Sequence, residues 1–123
     1  EAPAAVGPYS QAIKAKGMVY TAGQLGVDPA TGEVAGKGFI AQTHQAMVNL
    51  KAVLEAAGSG IQYIVKTTIF VTDLAAFADV NTAYGNFLKA EGVADFPARS
   101  TVEVAALPLG GLVEIETIAL LPS

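Results

Sequence analysis

A single arginine, Arg99, precedes two closely spaced carboxylates in this chain, Glu114 and Glu116. A guanidinium is a planar fork of donors that stays charged, so a lone arginine among lysines fits a task that lysine performs poorly: gripping a carboxylate with two parallel hydrogen bonds. The same residue types also furnish an ordinary surface ion pair. Arg99 lies in Phe96-Pro97-Ala98-Arg99-Ser100-Thr101-Val102-Glu103-Val104. Pro97 disfavours helix just before it and the β-branched run favours a strand, so Arg99 is expected where a loop enters a sheet. Leu107-Pro108-Leu109-Gly110-Gly111 supplies turn residues, and a second strand would alternate Val113, Ile115 and Thr117 with Glu114 and Glu116. Pairing of these two strands would bring Arg99 to a carboxylate.

The elements that must position this pair follow from periodicity. Met18 to Leu25 reads as a strand in which Ala22 and Gly23 are small enough to admit another group. Asp28-Pro29-Ala30-Thr31-Gly32 makes a turn, returning through a short strand at Glu33 and Val34. Ile40, Met47, Leu50, Leu54 and Ala57 recur at helical spacing, with Gly58 as the stop. His44, the only histidine, falls near that stripe and reads as a partly buried or interface side chain. Ile64 to Val71 is a β-branched central strand, with Lys66 reaching solvent. Thr72 and Asp73 are capping types, and Phe77, Val80, Tyr84, Phe87 and Leu88 trace a second amphipathic helix with Asn81 at the edge of its stripe. The predicted order is strand, strand, helix, strand, helix, strand, strand: an α+β layer with two helices on one face of a mixed sheet.

Composition narrows the function classes. The 123 residues suffice for a single domain spanning 1–123. Hydrophobic residues make up 52% and charged residues 15%, which implies apolar surface hidden against partner subunits, hence a homo-oligomer. A net charge of −4 offers no basic footprint for nucleic acid. No apolar run approaches the length of a spanning helix. Without cysteine there is no thiolate nucleophile, and one histidine rules out a multi-histidine metal site within a chain. The opening Glu1-Ala2-Pro3, with no methionine, reads as a processed or trimmed end.

Seven short motifs together resemble the RidA group of the Rid family, the reactive intermediate deaminases. They are Gly7-Pro8-Tyr9-Ser10-Gln11, Thr21-Ala22-Gly23-Gln24-Leu25, Asp28-Pro29-Ala30-Thr31-Gly32, Val65-Lys66-Thr67-Thr68, Val80-Asn81, Pro97-Ala98-Arg99-Ser100 and Val113-Glu114-Ile115-Glu116. The likeness runs from Ala2 to Leu120. It implies a chorismate-mutase-like subunit in a homotrimer, with clefts between neighbouring subunits. It further implies hydrolysis of 2-imino acids, such as 2-iminobutanoate and 2-iminopropanoate released by pyridoxal-phosphate-dependent dehydratases, to 2-keto acids and ammonia, with no cofactor or metal. By resemblance, Arg99 grips the substrate carboxylate and Glu114 orients water and handles protons. Gly23 and Thr101 offer backbone N–H groups to the reacting carbon's substituent, and Tyr9 and Asn81 line the cleft.

Two positions depart from the family pattern. Ala22 stands where many relatives carry serine, and Thr101 where they carry cysteine; oxidative modification at that thiol is therefore lost. A nearby Arg99 is expected to keep Glu114 ionised. Relatives function in cytosol and mitochondria, and a cytoplasmic location is the expectation. The competing readings are a ribonuclease or translation inhibitor, against which the acidic composition weighs, and a non-enzymatic small-acid-binding or holdase trimer.

Overall fold

The protein, described here for residues 2–5 and 7–122 of a computed structural model, builds two helices over a mixed sheet. In chain order the elements are β1 (Ala12–Ala15), β2 (Met18–Thr21), β3 (Gln24–Leu25), α1 (Phe39–Ala56), β4 (Ile64–Val71), α2 (Phe77–Ala90), β5 (Ala98–Glu103) and β6 (Val113–Leu120). The sheet runs β1-β2-β6-β4-β5, with β3 also paired to β6. All pairings are antiparallel except β4 with β5, which are joined by α2, the kind of crossover a parallel pair requires.

The core lies between the helices and one face of the sheet. Ile69, Val71, Val113, Ile115, Val19 and Ala119 point into it and meet Met47, Leu50 and Leu54 of α1 and Val80, Tyr84 and Leu88 of α2. The alternation foreseen on β6 holds: Val113, Ile115 and Thr117 are buried, while Glu114 is half-buried and Glu116 exposed. The opposite sheet face carries Ile13, Tyr20, Phe70, Val102 and Ile118, of which Ile13 is 54% and Tyr20 44% exposed. That face is uncovered within the chain.

Helix α1 ends as its sequence signals. Gly58 takes φ +89° and lets the Ser59 N–H reach the Leu54 carbonyl at 2.8 Å. Two amides that periodicity alone did not single out fasten α1 to the sheet. Asn49 donates to the Leu25 and Val27 carbonyls at 3.0 and 2.9 Å, and Gln42 donates to the Gly36 carbonyl while accepting from the Leu112 N–H. Gly26 permits the close approach, since a Cβ there would lie 2.4 Å from the Gln42 carbonyl oxygen.

The structure corrects several sequence expectations. Met18 to Leu25 is broken at Ala22-Gly23 into β2 and β3, and β1 precedes it unforeseen. The return strand at Val34 amounts to one isolated bridge to Val27. Asp73 caps a short 3-10 turn, Leu74–Ala76, ahead of α2 rather than the helix itself. Ile40 and Phe77 begin their helices on the exposed side, and His44 is exposed within the chain rather than partly buried, its ring edge-on to Phe87 with centroids 5.6 Å apart. Most important, β5 and β6 do not pair: β4 runs between them.

Candidate functional site

The predicted site residues assemble into two separate groups. The first surrounds Glu114, which β6 presents on the uncovered face in register with Phe70 of β4 and Leu25 of β3. Its carboxyl borders an open groove of about 590 Å³ that Tyr9, Ala22, Gly23, Leu25 and Pro108 help to line. Gly23 touches the carboxyl directly, for a Cβ there would sit 2.7 Å from Glu114 Cδ. The small residues read from sequence as admitting a neighbouring group therefore admit Glu114. The corner is held by the Ala22 N–H donating to the Gln11 carbonyl at 2.8 Å and by the Gln24 amide donating to Gln11 Oε1 at 2.7 Å. Burial raises the proton affinity of Glu114 above the ordinary carboxylate value, and the nearby Glu116 charge raises it further.

The second group surrounds Arg99. In the parallel ladder Arg99 lies opposite Thr67, whose side chain is buried among the helices, so Arg99 points to the helix-covered face. Its guanidinium carbon stands 5.3 Å from the centre of the Phe77 ring and 5.5 Å from that of Tyr84. Asn81 falls between those two residues on the same side of α2, and Thr101 follows Arg99 on the same side of β5. Asn81 Oδ1 and Thr101 Oγ1 are both buried without a hydrogen-bond partner. Thr43 Oγ1 on α1 is a third such atom among the described residues, and each is an exception to the rule that buried polar groups are paired.

Arg99 and Glu114 thus occupy opposite faces of one sheet. Direct meeting through strand pairing, as expected from the sequence, does not occur within a chain, and Arg99 does not hold Glu114 ionised there: the carboxyl shifts the other way. Nor does Arg99 form a surface ion pair. Among the described residues the only salt bridge joins Lys51 to Glu91 at 3.0 Å; Glu103 accepts the Leu74 N–H at 2.8 Å instead. Lys66 donates to Ser100 Oγ at 3.0 Å on the exposed face.

The contact of Phe77 and Tyr84 with Arg99 was hidden in the sequence, where both read as members of a helix stripe. The signal available was their spacing around Asn81. No cluster of three or more metal-binding side chains occurs among the described residues, and no helix there is long and apolar enough to cross a membrane.

Residues 1–121 match the Endoribonuclease L-PSP family model. A 2-iminobutanoate/2-iminopropanoate deaminase of Salmonella typhimurium is 53% identical over 118 residues, covering 96% of this chain and 91% of the relative. A RutC family protein of Haemophilus influenzae is 51% identical over 119 residues, covering 97% and 91%. The crystal structure of RidA from the Antarctic bacterium Psychrobacter sp. PAMC 21119 superposes with a TM-score of 0.87 at 49% identity, covering 97% of this chain and 93% of that one. The chain belongs to the Endoribonuclease L-PSP family and, within it, to the RidA group of Rid proteins.

Proposed function

We propose that this protein hydrolyses 2-imino acids, 2-iminobutanoate and 2-iminopropanoate among them, to 2-keto acids and ammonia. The reaction takes place in clefts between the subunits of a homotrimer whose subunits are chorismate-mutase-like. The observation that carries this reading is the separation of Arg99 and Glu114 onto opposite faces of one sheet, Arg99 beside two unpartnered polar atoms and Glu114 at an open groove. A neighbouring copy laying its Arg99 edge over the Glu114 groove would join a carboxylate clamp to a general base. The uncovered apolar side chains Ile13, Tyr20, Val102 and Ile118 supply the surface that such an assembly hides. The deaminase name of the Salmonella relative supports the same chemistry.

The steps follow from the groups available. Arg99 forks the substrate carboxylate and fixes the imine carbon near Glu114. Glu114 accepts a proton as water adds to the C=N bond of the protonated imine, giving a tetrahedral aminoalcohol. Returning that proton to nitrogen lets ammonia leave, while the hydroxyl proton passes to Glu114 and the C=O bond forms. The backbone N–H groups of Gly23 and Thr101 face the reacting carbon's substituent, and Tyr9 and Asn81 line the walls. A contribution of Thr101 through its backbone is unaffected by threonine in place of cysteine. The raised proton affinity of Glu114 suits a group that must take up and give back a proton in one cycle. No cofactor or metal enters the scheme, which we assign to the cytoplasm or mitochondrion.

The ribonuclease reading lacks a basic surface: the net charge is −4 and one arginine is present. The holdase reading predicts a trimer without turnover. In the deciding assay, a pyridoxal-phosphate-dependent threonine dehydratase generates the imine, and keto-acid formation is timed with and without this protein. Acceleration that disappears in Arg99→Ala, with the assembly intact by light scattering, is expected; an unchanged rate with the wild-type protein overturns the proposal.

A further inference from the structure

The surroundings of Arg99 differ from those of an arginine held by carboxylates. Its charge meets two ring faces and no acid among the described residues. Cation–π contacts attract a guanidinium through the ring quadrupole and do not consume its N–H donors, which lie in the guanidinium plane. Both rings are themselves held. Tyr84 is buried, and its hydroxyl donates to Thr67 Oγ1 at 2.8 Å, Thr67 being the residue opposite Arg99 in the ladder. Phe77 opens α2 just after the Leu74–Ala76 turn, whose start is fixed by two carboxylates: Asp73 Oδ1 accepts the Ala75 N–H at 2.9 Å, and Glu103 from the far end of β5 accepts the Leu74 N–H at 2.8 Å. Phe77 remains 42% exposed, so the guanidinium lies between a buried ring and a ring at the surface.

We propose that Phe77 and Tyr84 are positioning residues for Arg99. They hold the guanidinium flat and immobile before any ligand arrives, with its fork of donors directed outward. This inference deepens the proposed function and rests on Arg99 as the carboxylate clamp. A clamp held in advance loses less rotamer freedom on binding, so its benefit appears in affinity for the small acid. Glu103 acts at one remove, through the turn that carries Phe77.

The test exploits the presence of only one arginine: a ¹⁵N-labelled sample has a single arginine side-chain Nε–H resonance. In the wild-type protein that resonance is expected to be displaced by ring currents, and to move again on addition of 2-oxobutanoate. Phe77→Leu should shift it toward the position of a free arginine and raise KM and the 2-oxobutanoate Kd by roughly 3–30-fold, with kcat little changed. Phe77→Tyr, which keeps the ring, should restore all three quantities. Circular dichroism and light scattering on each variant separate these effects from loss of fold or assembly. A Phe77→Leu protein that is folded and assembled, with an unmoved resonance and wild-type KM, overturns the inference while leaving the deaminase reading intact. If the wild-type protein fails to hydrolyse imines, yet 2-oxobutanoate binding and the resonance both depend on Phe77, the positioning role stands and the proposed reaction falls. A Phe77→Leu protein that does not fold shifts the decision to Phe77→Tyr and Glu103→Gln; a wild-type-like resonance in Phe77→Tyr together with a displaced one in Glu103→Gln supports the inference, and any other pattern overturns it.

Discussion

Burial and the charge on Glu116 both disfavour ionisation of Glu114, and this has opposite consequences for stability and for turnover. A carboxyl whose folded proton affinity exceeds its unfolded one stabilises the fold below the unfolded value, and that contribution is lost as pH rises through the folded value. Glu114→Gln, which stays neutral, is therefore expected to be more stable than the parent at neutral pH and equal to it in acid, as thermal unfolding across pH will show. Its turnover should fall by about 10²–10⁴-fold, because an amide cannot take a proton from water. Glu116→Gln should move the acid limb of the pH–rate profile to lower pH with the plateau rate retained, because the charge that opposes ionisation of Glu114 is then removed. Gly23→Ala is expected to reduce kcat by about 10²-fold with the fold preserved, because the new Cβ would fall 2.7 Å from Glu114 Cδ and push the carboxyl aside. The candidate residues themselves were legible in the sequence through rarity and spacing: one arginine, and two glutamates on the polar alternation of a strand. Their surroundings were not. Spacing around Asn81 set Phe77 and Tyr84 on one side of α2, but their contact with Arg99 depends on how α2 crosses β5.

At the scale of elements, legibility tracked how local the deciding physics is. The Ile64–Val71 strand and the span of α1 follow from β-branched density, helical periodicity and a glycine stop, all written within a few residues. β1 escaped because Ala-Ile-Lys-Ala carries no strand signature, and its residues are half-buried or exposed. The break at Ala22-Gly23 and the parallel pairing of β4 with β5 arise from contacts distant in sequence, which periodicity does not report. Asn49 shows an element fixed by one buried amide: its two bonds join α1 to the β3 segment next to Gly23. Asn49→Leu leaves the Leu25 and Val27 carbonyls without that donor, and is expected to destabilise the protein by about 2–4 kcal/mol in urea unfolding. It should also impair turnover more than a substitution of similar stability cost on the outer surface of α1, because the corner facing Glu114 loosens.

For the whole molecule, the proposed assembly turns on the uncovered sheet face. Tyr20 is 44% exposed in the chain, so Tyr20→Glu should leave the folded subunit intact, yet a charge there opposes burial against another copy. Light scattering is expected to show dissociation, and imine hydrolysis should vanish with it although neither Arg99 nor Glu114 has changed. Retained activity in a Tyr20→Glu monomer would reject the inter-subunit cleft. The strand that comes last in sequence, β6, also lies in the middle of the sheet, pairing with β2, β3 and β4 and carrying Glu114. The hydroxyls of Thr21 and Thr117, 3.1 Å apart in the folded core, are separated by 96 positions along the chain. On the ribosome, β1, β2 and the β4–β5 pair emerge before the strand that unites them, so a nascent chain exposes two unjoined sheet fragments until β6 follows. A stalled or shortened translation product thus lacks Glu114 and the centre of the sheet together, and is expected to aggregate rather than to retain weak activity.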